Sequence, residues 1–289
     1  MTRTVFGRWV AAARPRTLSL AVAPVLAGIA LALAERGTWA PFTAFATLLA
    51  AVAIQIGTNL HNDAADFERG TDTPDRLGPP RATAQGWFRP AQVRRAAHLA
   101  FATAFVLGLV LVVRGGWPIL LLGLGAIAAG YAYTSGPRPI AYGPFGELYV
   151  LAFFGIAATA GTFYLQTLAL SGTAVRLGVA LGLPAAAVLL LNNYRDFATD
   201  RRAGRRTLCH VLGQSRARWL YRALLLLPLP LLTSLPGNGW MLLPAVPLAL
   251  WLGHRIRRAQ GAALNVLLGH TALYQVLLVL SFGGGLLLR

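Results

Sequence analysis

Most of the acidic side chains of this 289-residue chain fall in two short segments. Of its nine carboxylates, Asp63, Asp66, Glu68, Asp72 and Asp75 stand together, and Asp196 and Asp200 form a second group. In Asn62-Asp63-Ala64-Ala65-Asp66 the two carboxylates are three residues apart, and in Asp196-Phe197-Ala198-Thr199-Asp200 they are four apart. Either interval brings both side chains onto one face of a helix. Paired carboxylates suit a hard divalent cation, and Mg²⁺ is typically held by one or two carboxylates together with substrate phosphates. Asn59 and Asn62 precede the first pair, and Asn192 and Asn193 the second. Each segment therefore reads as half of a diphosphate clamp, with Asp63, Asp66, Asp196 and Asp200 as expected metal ligands. Glu68 and Asp75 are read as solvated loop acids balanced by nearby arginines.

These acids must be positioned by membrane helices. The chain is 56% hydrophobic with a mean hydropathy of +0.58, more apolar than soluble domains, in which roughly 45–50% of residues are apolar. A spanning helix needs about 20 mostly apolar residues. Nine such stretches are expected, at 17–34, 40–61, 96–113, 117–134, 148–168, 176–194, 217–235, 240–253 and 264–287. The eighth is short, and Pro236-Gly237-Asn238-Gly239 forces a tight turn before it. The formal charge of +17 sits between apolar stretches rather than on one basic face, so nucleic acid is not the expected partner. Clusters such as Arg14 and Arg16, Arg94 and Arg95, Arg201 to Arg206, and Arg255 to Arg258 alternate with connections that carry only Arg36, Arg114 and Arg176. By the positive-inside rule the N-terminus and the acid-bearing loops face the cytoplasm, and an odd number of spans leaves the C-terminus outside. A multi-pass protein of the inner membrane is expected, its first apolar stretch a span rather than a cleaved leader.

Composition also excludes chemistry. The chain has no lysine, which rules out Schiff-base mechanisms, and its single cysteine rules out an internal disulfide or a Cys-rich metal site. No zinc-like spacing connects the histidines. Spans one to four carry the first acid pair at the end of the second helix, and spans five to eight repeat that plan. The expected fold is all-α: one integral-membrane domain over 1–289, with pseudo-repeated bundles over roughly 1–135 and 148–260 that meet at a central cavity.

The motifs resemble the UbiA superfamily of intramembrane aromatic prenyltransferases, and within it the 1,4-dihydroxy-2-naphthoate branch of menaquinone biosynthesis. The resemblance runs through Asn62-Asp63-x-x-Asp66-x-x-x-Gly70-x-Asp72 to Arg81, through Asn192-Asn193-x-Arg195-Asp196-x-x-x-Asp200-x-x-x-Gly204-Arg205-Arg206, and through Tyr131-x-Tyr133-Thr134 to Tyr142 and Gly146-Glu147. Arg14-Pro15-Arg16-Thr17-Leu18 is similar to the branch's N-terminal entry. Gly70 stands where branches acting on 4-hydroxybenzoate tend to carry another Asp, and Arg205 stands where lysine is common.

The resemblance implies a Mg²⁺-dependent transfer. A polyprenyl diphosphate would ionise between the two acid pairs, the naphthoate ring would attack the allylic cation, and CO₂ would be lost from the substituted carbon. Arg195, Arg138 and Arg206 are expected to grip the diphosphate or the acceptor carboxylate, together with Asn59, Asn62, Asp72, Asn192 and Asn193. Tyr133 and Tyr142 are expected to face the cation, although tyrosines near helix ends also serve as interfacial anchors. The rival readings are a sibling prenyltransferase acting on 4-hydroxybenzoate or homogentisate, and a cation-coupled secondary transporter. The transporter would place its acids near the middle of spans, whereas here they stand at span ends beside arginine-rich loops.

Overall fold

The computed structural model describes residues 4–71 and 77–288, and these are helical with no strand among them. Helix starts follow local chemistry. Pro15, Pro41 and Pro90 open α2 (Pro15–Arg36), α3 (Pro41–Glu68) and α4 (Pro90–Gly115), where a missing N–H costs nothing and φ is preset. Preceding α2 is a short α1 (Val5–Ala13), whose first turn is capped by the Thr4 hydroxyl. Next come α5 (Trp117–Ala132) and α6 (Gly146–Val150), which continues through a π-helical segment, Leu151–Ala157, into α7 (Ala158–Thr167). Ser171 caps α8 (Gly172–Arg195) by accepting from Ala174 N. A short α9 (Phe197–Arg202) leads to α10 (Leu208–Leu226), α11 (Pro228–Thr233), α12 (Ala245–Arg255) and α13 (Ala263–Leu287).

Among the described residues, six helical bodies are long and apolar enough to cross a membrane: α2, α3, α4, α6 to α7, α8 and α13. The apolar α5 has 16 residues. The expected seventh and eighth spans are not continuous helices. The seventh breaks between Leu227 and Pro228, and the eighth is a 3₁₀ turn over Gly239–Leu242 followed by the 11-residue α12, about 16 Å at 1.5 Å per residue. Proline is the reason, since Pro228, Pro230, Pro244 and Pro247 remove helical N–H donors from this stretch.

Packing is uneven. One contiguous apolar cluster joins α2, α8, α10, α12 and α13 through side chains such as Leu31, Leu181, Leu190, Tyr221, Leu252 and Tyr274. The first half has only small clusters, because the space between α2, α3, α4, α5 and the π segment is a cavity. The π segment lies almost in backbone contact with α8. A Cβ on Gly155 would stand 2.4 Å from the Gly178 carbonyl oxygen and 2.5 Å from Gly182 Cα. Such close approach is what small residues permit between membrane helices. The wider π turn brings Phe153 and Phe154 onto the cavity wall.

Candidate active site

The cavity has a volume of about 450 Å³. Its walls are apolar, with Leu20, Val25, Ile54, Leu111, Ile119 and Phe153 among them, and one end is polar. That end gathers Arg14, Arg16, Gln55, Asn59, Asn62, Asp66 and Arg81 from the first half with Asn192, Asn193, Arg195 and Arg205 from the second. No residue of α10, α11 or α12 reaches the cavity.

Asn62 and Asp66 are four apart on α3, and both face the cavity. Asp66 is buried, and its two carboxylate oxygens are held by different arginines, Arg81 Nη1 at 2.6 Å and Arg205 Nη2 at 2.6 Å. Arg205 also reaches Asp200, at 3.4 Å. One guanidinium thus joins the two acid segments across the bundle. Asp200 is buried on α9, and its carboxyl is pushed up to about 6 by that burial, with Arg205 opposing the rise and Asp196 adding to it. Arg205 is held over the Tyr142 ring, 4.8 Å from the ring centre.

Asp63 points elsewhere. It is fully buried, and its carboxylate accepts from Ala82 N at 2.8 Å, from Thr83 N at 3.0 Å and from the Thr83 hydroxyl. It thereby pins the 81–87 turn against α3, and that turn carries Arg81. Arg81 also donates to the Asn62 carbonyl at 2.9 Å. The Asn62 side-chain oxygen accepts from the Thr134 hydroxyl at 2.7 Å. Asn59 donates to Ala13 O at 2.9 Å and to the Thr17 hydroxyl at 3.0 Å, tying the cavity face of α3 to the α1–α2 junction.

In the second segment Arg195 makes a bidentate pair with Asp196, at 2.8 and 2.5 Å, and also donates to Asn192 and Asn265, each at 2.7 Å. Two-point pairing fixes both groups in one plane. Asn265, at the start of α13, donates in turn to Leu77 O at 2.7 Å and so closes the polar end from a third side. Asn193 donates to Glu147 at 2.9 Å. Tyr133 lines the cavity. Tyr142 lies beneath Arg205 instead, while Arg138 and Arg206 are exposed and line no part of it. Asp72 lies outside the described residues, as does Asp75.

Spacing alone did not single out Arg81, Arg205, Asn265 or Glu147 as parts of this network. Arg81, Arg205 and Glu147 lie inside the motifs that carry the family resemblance. Asn265 carries no local signal, because its neighbours in sequence are ordinary helix residues.

The oxygen donors here are hard: Asp66, Asn62 and Asn192 line the polar end, while Asp196 and Asp200 do not line it and are held on Arg195 and Arg205, which do. That chemistry fits Mg²⁺. Among the described residues no three acidic, histidine or cysteine side chains converge as a closed cage. A site that completes its metal shell with substrate phosphates does not need one.

An apolar cavity in a helical bundle, with Asp66, amides and arginines at its polar end, suits a molecule with an anionic head and an apolar body. The chain belongs to the UbiA prenyltransferase family, whose model matches residues 21–285. It is 38% identical over 289 residues to the 1,4-dihydroxy-2-naphthoate octaprenyltransferase of Mycobacterium tuberculosis, covering 97% of each chain. It is 37% identical over 252 residues to the enzyme of the same name from Escherichia coli, covering 83% of this chain and 82% of that one. Among solved structures, it shares the fold of a UbiA homolog from Archaeoglobus fulgidus bound to DMAPP and Mg²⁺ at a TM-score of 0.70. That likeness covers 98% of this chain and all of the other, with 14% identity.

Proposed function

We propose that this chain transfers a polyprenyl group from its diphosphate to 1,4-dihydroxy-2-naphthoate, with loss of CO₂, as a step in menaquinone biosynthesis. The observation that carries the reading is the Asp66–Arg205–Asp200 bridge at the head of an apolar cavity. It draws two distant acid segments into one site, and relatives that align along nearly the whole chain are named for this acceptor.

The diphosphate head lies at the polar end and the tail lies along the apolar walls. Asp66 with Asn62, and Asp196 and Asp200 with Asn192, are the groups that would hold Mg²⁺. When bound, the ion supplies positive charge to the oxygens of the departing diphosphate. Arg81 and Arg205, paired to Asp66 in the substrate-free protein, are placed to turn part of their hydrogen bonding to the diphosphate. The C1–O bond breaks with its electron pair on the leaving diphosphate. The ring carbon bearing the carboxylate attacks C1, and the electrons of the broken C–CO₂ bond return to the ring. Arg195, held on Asp196, Asn192 and Asn265, faces the acceptor carboxylate, and Tyr133 faces the cation. Asp63 acts through the turn it anchors, and Tyr142 through Arg205. Asn59 and Asn193 keep α3 and α8 in register with the site. Arg138 and Arg206, exposed on their loops, are the groups that meet arriving substrate.

The membrane crossing follows the same plan. We assign nine crossings, with α10 to α11 and the Gly239–Arg255 stretch as the broken seventh and eighth, pseudo-repeated halves, a cytoplasmic N-terminus and site, and an external C-terminus in the inner membrane. In a Cys209→Ala background, an impermeant thiol reagent applied to intact cells is expected to label Leu288→Cys and to spare Thr4→Cys. The opposite pattern rejects the orientation.

The reaction is tested by incubating detergent-solubilised protein with 1,4-dihydroxy-2-naphthoate and radiolabelled prenyl diphosphate, in Mg²⁺ or in EDTA. Label is expected in the lipid-soluble quinone fraction only with Mg²⁺. Prenylation of 4-hydroxybenzoate or homogentisate instead would overturn the acceptor and leave the transfer standing.

A further inference from the structure

After Asp200 the chain has no carboxylate side chain at all, yet it carries arginines at 201, 202, 205, 206, 216, 218, 222, 255, 257, 258 and 289. Arg205 is neutralised by Asp66 and Asp200. Three of the others lie where α10 and α12 pack: Arg218 and Arg222 are one turn apart on α10, and Arg222 bonds Gly253 of α12, four residues before Arg257. Arg222 is not free to move away. Its Nε donates to the Gly253 carbonyl at 2.8 Å, and its guanidinium lies 4.7 Å over the Trp219 ring. Arg255 lies 5.8 Å over Trp251, and both tryptophans are exposed. The loop after α12 leads into α13 at Asn265, which bonds Leu77 and Arg195, so the cluster sits at the same end of the bundle as the candidate active site. It is separate from that site, because α10 to α12 line no part of the cavity.

From this geometry we infer that Arg218, Arg222 and Arg257 form a binding site for the headgroup of an anionic phospholipid. Like charges held together on packed helices attract an anion, and no acidic side chain follows Asp200 in the sequence to provide one locally. At the membrane surface a phosphodiester is the abundant anion, and arginine clusters between membrane helices are suited to it. Exposed tryptophans beside the cluster match the glycerol and upper acyl region, where amphipathic rings settle. The occupant would brace the least continuous part of the fold, since α10 is kinked at Gly213 and α12 is short.

The test is native mass spectrometry of the detergent-solubilised protein titrated with phosphatidylglycerol or phosphatidylcholine, alongside thermal melting. The wild type is expected to retain at least one phosphatidylglycerol under conditions that strip phosphatidylcholine, and to melt higher with it. The R222Q/R257Q variant should lose that adduct and the rise in melting temperature, whereas R94Q/R95Q, with the same change of charge elsewhere, should keep both. Should the double variant fail to fold, R257Q alone carries the comparison, because Arg257 is exposed on a loop. Equal phosphatidylglycerol retention by wild type and variant would overturn the assignment. Displacement of the lipid by excess inorganic phosphate would overturn it too, by showing a site for the free anion.

Discussion

Asp63 and Asp200, one from each acid segment, have different surroundings, and they should fail differently. Asp63 satisfies two backbone N–H groups and a hydroxyl of the 81–87 turn. Each buried donor left without a partner costs about 1–3 kcal/mol, so Asp63→Ala is expected to lower the melting temperature in detergent as well as the activity. Asp200 behaves oppositely. Its carboxyl is raised to about 6 by burial, so the folded state holds the proton more tightly than the unfolded chain, and at neutral pH the ionised form subtracts from stability. Asp200→Asn should therefore melt no lower than wild type at pH 7.5, while kcat/KM falls by on the order of 10²–10³, the usual cost of removing one preorganised electrostatic group. A stable Asp63→Ala, or a destabilised Asp200→Asn, would contradict these assignments. Helical spacing located both motifs but could not tell which face of α3 points inward. The pair on the cavity face is Asn62 and Asp66, four apart, and Asp63 is turned toward a loop whose approach no local pattern reveals.

At the scale of elements, the π segment is held against α8 by Gly155, Gly178 and Gly182. An added methyl at Gly155 would stand 2.4 Å from the Gly178 carbonyl oxygen, and overpacking of this kind costs about 1–3 kcal/mol. Gly155→Ala is expected to lower the melting temperature, whereas Gly125→Ala on α5, where a methyl meets nothing within 4 Å, should not. Equal melting of the two variants would mean that α8 and the π segment can separate at little cost. Hydropathy located the helix over 148–168, and it forms over Gly146–Thr167. The extra residue per turn left no trace in a uniformly apolar run. The breaks at Pro228 and around Pro236 to Pro247 were more legible, because proline acts locally. Their effect on continuity is masked in the sequence where apolar residues surround the prolines.

For the whole molecule, composition and acid placement were enough to read an all-helical membrane enzyme with its polar site at helix ends. The asymmetry between halves was not legible. The second half is filled by one large apolar cluster, while the first is hollowed by the cavity, and that difference depends on how helices pack rather than on how apolar each one is. Nor did spacing reveal that Arg205 joins the two acid segments, since Asp66 and Arg205 are separated by most of the chain's middle. The claim that these segments work as one site is tested most directly by calorimetric titration of a non-ionising geranyl thiodiphosphate into the purified protein. In Mg²⁺ the wild type should bind it, with affinity falling at least about tenfold, a loss of roughly 1.4 kcal/mol, in EDTA and in the Arg205→Gln and Asp66→Asn variants alike. Unchanged affinity in EDTA and in both variants would contradict a shared, metal-dependent diphosphate site.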